Sequence, residues 1–183
     1  MLKAVGVDFM VQAASIDERA LARELLSQGK DGSAVALALA EQKALAISRR
    51  NPDDMVLGVD SVLVLEGELI NKSPDRAALR AELRRLSGKT HFLISAAALA
   101  QGGQVIWHHV ASARMTMRTL SDAFLDDYLA REGEALLGSV GGYHFEGLGA
   151  QLFESAEGDY FSILGLPLLP VLKELRAQGW LQA

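Results

Sequence analysis

The chain contains no cysteine and little positive charge, and both shortages exclude classes of protein. Without cysteine there is no disulfide, no thiolate nucleophile and no zinc–thiolate site. The 18 lysines and arginines are outnumbered by 23 acidic residues, and the net charge of −5 argues against a duplex nucleic-acid binder, which needs a basic face. Long hydrophobic runs are also missing, because the longest ones, 93–100 and 163–172, are too short to span a bilayer.

What the chain does have is enough length and hydrophobicity for a substantial core. It has 183 residues, of which 50% are hydrophobic, and this predicts one globular domain over residues 1–183. The first residues lack the basic head and long apolar stretch of a signal peptide. We therefore expect a cytoplasmic protein with neither a membrane nor nucleic acid as a partner.

The most informative stretch runs from Met55 to Lys72. Two short apolar runs rich in valine and leucine predict buried strands, and a carboxylate, Asp60, stands where the first run ends. An unpaired buried charge is costly, so such a residue normally has a cation, a metal or hydrogen-bond donors beside it. The alternative is that Asp60 only closes a turn at a strand break, as aspartate often does.

Predicted strands and helices intermix along the rest of the chain, which indicates an α/β or α+β fold with a mixed sheet. The glycine-rich segment 138–149 is expected either to approach a ligand closely or to form a bulged strand. Strands are predicted over 7–13, 91–99, 104–118, 150–153 and 160–164. Helices are predicted to end at Gly6, to cover 18–27 and 33–48 with Ser33 as a cap, to run from Ser73-Pro74-Asp75 to Gly88, to follow Ser121, and to run from Pro167 to about Gly179.

The residue types that remain for chemistry are carboxylates and lysines. His108 and His109 are neighbours on a predicted strand, so they point to opposite faces and cannot share a metal. Oxygen ligands suit Mg²⁺ or Mn²⁺ and lysines suit phosphate oxygens, so the combination fits metal-assisted phosphate chemistry. The candidates are the carboxylates of Asp17, Asp60 and Glu146 and the lysines Lys43 and Lys72.

The order of short motifs resembles that of the Maf family of nucleoside triphosphate pyrophosphatases, from about Met1 to Gly179. The motifs are Ser15-Ile16-Asp17-Glu18, Leu39-Ala40-Glu41-Gln42-Lys43-Ala44, Gly58-Val59-Asp60-Ser61, Asn71-Lys72, Leu86-Ser87-Gly88-Lys89-Thr90-His91, Gly142-Tyr143-His144-Phe145-Glu146-Gly147 and Gly165-Leu166-Pro167-Leu168. Each is weak alone, whereas seven in this order and spacing are specific. The resemblance implies an elongated α/β fold similar to inosine triphosphate pyrophosphatase, with a mixed sheet and a groove between two lobes. It also implies metal-dependent hydrolysis of nucleoside triphosphates to monophosphate and pyrophosphate.

The resemblance assigns roles to individual residues. Asp60 matches the catalytic carboxylate that accepts a proton from water, and Asp17 matches an acidic residue of the site, so we predict both as ligands of Mg²⁺ or Mn²⁺. Lys43 and Lys72 match lysines that bind phosphate. Ser61 and Glu146 match positions linked to base selectivity, where the thymidine/uridine-type branch has Thr and Gln and the 7-methylguanosine branch has Gln and Glu, so the resemblance leaves the base preference open.

Family members also carry a strand and a Ser-x-Ser-x-x-Arg loop ahead of the helix that ends here at Gly6, and this sequence has neither. A missing strand would leave a neighbouring strand edge unpaired, so we expect a homodimer. Two functions follow as alternatives. One is a nucleoside triphosphate pyrophosphatase that acts on standard or non-standard nucleotides. The other is a catalytically impaired nucleotide-binding or cell-division regulatory protein.

Overall fold

The structure is a computed structural model that describes residues 1–182. Helices and strands intermix along the chain, as the sequence predicts, and short 3₁₀ helices fill several connections. The elements are α1 (Glu18–Ser27), α2 (Gly32–Ser48), β1 (Val56–Leu65), β2 (Glu68–Ile70), α3 (Arg76–Leu86), β3 (Thr90–Gln101), β4 (Gln104–Met117), α4 (Asp122–Glu132), β5 (Phe153–Glu157), α5 (Tyr160–Ile163) and α6 (Leu168–Ala177). The 3₁₀ helices are Leu2–Val5, Gly133–Gly138, Val140–Gly142 and Leu148–Leu152.

The five strands form one sheet in the order β2-β1-β3-β4-β5. Strands β1 and β2 pair antiparallel with Leu63 opposite Ile70, and β4 and β5 pair antiparallel with Met115 opposite Ala156. Strands β3 and β4 are neighbours connected only by Gly102-Gly103, whose φ angles are 59° and 75°. Two consecutive positive φ angles are what a tight hairpin turn requires, and glycine adopts them without strain.

Side-chain caps define where the helices begin. The carboxylates of Asp17, Asp31 and Asp75 each accept a backbone N–H three residues later, and Ser121 caps α4 in the same way. The cap of α2 is therefore Asp31, and the prediction of Ser33 was wrong by two residues. Aspartate and serine at this position satisfy amides that have no partner inside the helix.

Three of the strands predicted from the sequence, 7–13, 150–153 and 160–164, are not formed with those bounds. Residues 7–13 have no regular structure, and the side chains of Met10 and Val11 are more than 80% exposed. No strand within residues 1–182 pairs with this segment, so its apolar pattern alone does not make it a strand. Residues 148–152 form a 3₁₀ helix, and residues 160–163 form α5, which Asp159 caps. The strand in this region, β5, lies between these two helices.

Strand β1 is continuous from Val56 to Leu65 and passes through Asp60. The predicted strand break at Asp60 was therefore wrong. The physical reason is that a carboxylate with a cationic partner, here Lys43, does not have to leave the strand.

The described residues divide into two compact units, and β1, β3 and β4 each contribute residues to both. The first unit contains Met1–Ser61, Ile94–Ala111 and the segment that begins at Asp159. Its core joins β3 to α6 through seven buried residues: Ala97, Leu99, Leu166, Leu168, Val171, Leu172 and Leu175. The second unit contains Val62–Leu93 and Ser112–Gly158, and its buried residues include three leucines of α3 at helical spacing, Leu79, Leu83 and Leu86. Within residues 1–182, no helix is long and apolar enough to cross a membrane.

Candidate active site

A close approach between α2 and β1 shapes the candidate site of the first unit. A Cβ atom placed on Gly58 would lie 2.1 Å from the carbonyl oxygen of Ala40 and 2.7 Å from the amide nitrogen of Ala44. The backbone of β1 therefore lies directly against the backbone of α2, which only glycine on the strand and alanine on the helix allow. Lys43 stands on this helix beside Ala44, and Asp60 stands two residues beyond Gly58, on the same face of β1.

This approach brings Lys43 onto Asp60. Lys43 Nζ donates to Asp60 Oδ1 at 2.6 Å and forms a second ion pair with Glu18 Oε1 at 3.0 Å. The side chains of Lys43 and Asp60 are 23% and 9% exposed, so water screens this pair much less than a surface pair. Burial alone would lower the pKa of Lys43, but hydrogen bonds and charge from Asp60 and Glu18 outweigh it and raise that pKa above its ordinary value. Lys43 is therefore a cation at neutral pH.

Glu18 is the member of this cluster that sequence reasoning missed. The motif Ser15-Ile16-Asp17-Glu18 directed attention to Asp17, whose Oδ1 instead accepts the Ala20 amide at 2.9 Å as the cap of α1. Glu18 is the first residue of α1, where the helix dipole favours a negative charge. A helix start needs only one capping carboxylate, and here two acidic residues stand side by side. This could have indicated that one of them, Glu18, is free of the cap and available to the site.

Ser61 lies on the opposite face of β1 from Asp60, because adjacent strand residues alternate. Its hydroxyl is 2.7 Å from the hydroxyl of Ser95, which donates its single proton to the carbonyl of Ser162 at 2.8 Å. Because the Ser95 proton goes to Ser162, the single proton of Ser61 is directed to Ser95 or to the Gly165 carbonyl, which lies 3.4 Å away, and the lone pairs of Ser61 remain as acceptors. The predicted role of Ser61 in base selectivity stays a prediction.

Lys72 and Glu146 belong to the second unit, and both are exposed. Lys72 follows β2, and Glu146 lies in the segment between two 3₁₀ helices. Their predicted roles toward a nucleotide stay predictions.

The glycine-rich segment 138–149 is not a strand, and two of its glycines, Gly141 and Gly142, lie directly against core side chains. A Cβ atom on Gly142 would lie 2.1 Å from Leu79 Cδ1, and Tyr128 donates to the Gly142 carbonyl at 3.1 Å. The next residue, Tyr143, is hydrogen bonded through its hydroxyl to buried His91 Nε2 at 2.9 Å. Two motifs that carried the family resemblance thus meet in the core of the second unit.

The donor set at Lys43 suits a hard divalent cation in part. No group of three or more acidic or histidine side chains converges anywhere in residues 1–182. Glu18 and Asp60 nevertheless direct two carboxylate oxygens at one ammonium. Mg²⁺ is commonly held by one or two carboxylates, with water and substrate phosphates completing its shell. The residues therefore fit Mg²⁺ or Mn²⁺ that is shared with a phosphate ligand.

Carboxylates around a charged lysine are the residue types that metal-assisted phosphate chemistry uses, and this α/β protein brings them together. The comparison with known proteins then identifies the family. The family described as Maf-like protein matches residues 1–178, and the chain belongs to this family. Family membership confirms the resemblance drawn from the motifs and the predicted α/β fold class.

Named relatives agree with the family. The chain is 47% identical over 178 residues to a 7-methyl-GTP pyrophosphatase of Brucella abortus, covering 97% of this chain and 89% of the relative. It is 49% identical over 179 residues to a 7-methyl-GTP pyrophosphatase of Mesorhizobium japonicum, covering 98% and 90%. A nucleoside triphosphate pyrophosphatase of Granulibacter bethesdensis is 48% identical over 176 residues, covering 96% and 89%.

Proposed function

We propose that this chain hydrolyses nucleoside triphosphates to nucleoside monophosphate and pyrophosphate. The observation that carries the proposal is the contact of Lys43 with both Asp60 and Glu18, in a chain whose relatives are named pyrophosphatases. An activated water, a proton acceptor and cations for the phosphate oxygens are the parts that this reaction needs. The cluster supplies a carboxylate acceptor and a cation from rigid elements, a strand and a helix.

Asp60 is the proton acceptor in this proposal. It takes a proton from the water that attacks the α-phosphorus, while the α–β bridging oxygen leaves with the pyrophosphate. Lys43 and Lys72 bind phosphate oxygens and stabilise the negative charge that develops on them. A positioned general base of this kind contributes roughly 10²–10⁴-fold to the rate.

A divalent cation is part of the proposal. Asp60 and Glu18 would hold Mg²⁺ or Mn²⁺ together with the triphosphate, and the cation would neutralise phosphate charge when bound. Asp17 remains the second ligand predicted from the sequence, although one of its oxygens caps α1.

The base preference rests on Ser61 and Glu146. Two of the relatives are named for 7-methyl-GTP, so this nucleotide belongs in the substrate panel together with standard triphosphates. If Ser61 contacts the base, its acceptor lone pairs would favour an amino or imino N–H on the ligand. The homodimer and the cytoplasmic location stay predictions from the sequence.

The test is an assay of the full chain with Mg²⁺ or Mn²⁺ and a panel of nucleoside triphosphates that includes 7-methyl-GTP. We expect equal amounts of monophosphate and pyrophosphate, with no diphosphate or orthophosphate as first products. Nucleotide binding without release of pyrophosphate would instead favour the alternative, a binding or regulatory protein. Release of orthophosphate would contradict attack at the α-phosphorus.

A further inference from the structure

The ammonium of Lys43 occupies a cation site made by two other elements. Asp60 comes from β1 and Glu18 from α1, and the oxygens of both lie within 3.0 Å of Lys43 Nζ. Two carboxylates that converge on one point form a site for a positive charge. In this protein the positive charge is one of its own side chains.

One ammonium is shared by two carboxylates at this point, and the side chain of Asp60 is only 9% exposed. A divalent cation could also bind between the same two carboxylates. It would then lie so close to the Lys43 ammonium that the two positive charges would repel each other strongly. The two cations therefore compete for one position.

The lysine has another group to bind once a triphosphate is present. Phosphate oxygens carry more negative charge than the Glu18 and Asp60 carboxylates together, and an ammonium with three N–H donors binds them well. Its helix position and long flexible side chain allow Nζ to move without movement of α2.

From these observations we propose that Lys43 is an internal counter-cation that excludes divalent metal from Glu18 and Asp60 until a triphosphate draws its ammonium away. This inference rests on the proposed function for the identity of the phosphate ligand. Metal and triphosphate then bind with positive coupling, because each favours the arrangement in which Lys43 has left the carboxylates. The same exchange replaces the hydrogen bond between Lys43 Nζ and Asp60 Oδ1 as the substrate arrives.

The experiment measures metal binding without nucleotide. Mn²⁺ is titrated into the wild type and into Lys43→Met, and free Mn²⁺ is followed by electron paramagnetic resonance. We expect Lys43→Met to bind Mn²⁺ at least tenfold more tightly than the wild type, which equals about 1.4 kcal/mol.

Lys30→Met is the matched control, because it removes the same charge from an exposed position between α1 and α2 and should stay within about twofold of the wild type. Adding Glu18→Gln to Lys43→Met should abolish the gain. Equal or weaker Mn²⁺ binding by Lys43→Met overturns the proposal, as does an equal gain in Lys30→Met.

A second measurement uses the wild type, in case Lys43→Met does not fold. The ammonium of Lys43 is followed by nitrogen-15 NMR and assigned through its loss in Lys43→Arg. Mg²⁺ alone at low millimolar concentration should leave its signal in place, and Mg²⁺ with an α,β-methylene triphosphate should shift it. A signal that stays unchanged at saturating triphosphate refutes the exchange. Neither measurement depends on hydrolysis. If the protein cleaves no nucleotide, the proposed function is refuted, but both measurements still test the exchange of Lys43.

Discussion

Gly58→Ala is the substitution that tests most directly how the fold builds the site. Gly58 has no unusual backbone conformation, so alanine is compatible with the strand and the effect comes from space alone. The new methyl group would lie 2.1 Å from the Ala40 oxygen and 2.9 Å from Ala44 Cβ. Both obstacles belong to the helix, one of them to its backbone, so no flexible side chain can move aside. Helix α2 must retreat by more than about 1 Å to reach ordinary van der Waals contact.

Gly58→Ala should lower both the stability of the fold and the rate of the reaction. Overpacking a well-packed core costs about 1–3 kcal/mol, and a clash with backbone belongs at the upper end of that range. For a chain of this size, about 3 kcal/mol lowers Tm by roughly 6–12 °C. Retreat of α2 also carries Lys43 away from Asp60, and a misplacement of about 1 Å costs on the order of 10²-fold in rate.

The measurement pairs urea unfolding with kcat/KM for the preferred triphosphate. Gly138→Ala is the control, because a Cβ atom there meets nothing within 4 Å. It should leave the free energy of unfolding within about 0.5 kcal/mol of the wild type. A Gly58→Ala protein with wild-type stability and rate would show that α2 and β1 are not in rigid contact and that this contact does not position Lys43 against Asp60.

Three further predictions concern the charged and titratable groups. Asp60→Asn should lower kcat by about 10²–10⁴-fold while the protein still folds and binds nucleotide, and a near-normal rate with Mg²⁺ would remove Asp60 from the mechanism. Lys43→Met and Lys72→Met should each weaken triphosphate binding more than monophosphate binding in calorimetry, whereas equal losses for both ligands would argue against a phosphate contact. Burial lowers the pKa of His91 to about 4, so as the pH falls the unfolded chain binds the extra proton before the folded chain does. The free energy of unfolding should therefore decrease by on the order of 3 kcal/mol as the pH drops from about 6.5 to 4. His91→Gln should flatten that slope in urea titrations, exposed His108→Gln should not, and equal slopes in all three proteins would contradict the assignment.

Much of the local structure could be read from the sequence. The span of α1, the leucine stripe of α3 and the cap of α4 all follow from periodicity and capping residues, which act over a few positions. The segment 7–13 shows the limit of such reasoning. Its apolar residues resemble a strand, but a strand needs a partner, and partners are chosen by the whole fold.

The candidate site divides in the same way. The sequence by itself determined that Lys43 and Asp60 are chemically suited to phosphate and that an acidic motif precedes α1. Only the tertiary structure decided that Glu18, and not its neighbour Asp17, meets Lys43, and that Asp60 continues a strand instead of ending one. The physical reason is that two side chains far apart in the sequence meet only where their elements approach closely. For Lys43 and Asp60, the distance between α2 and β1 is set by the missing side chain of Gly58 against the backbone of α2.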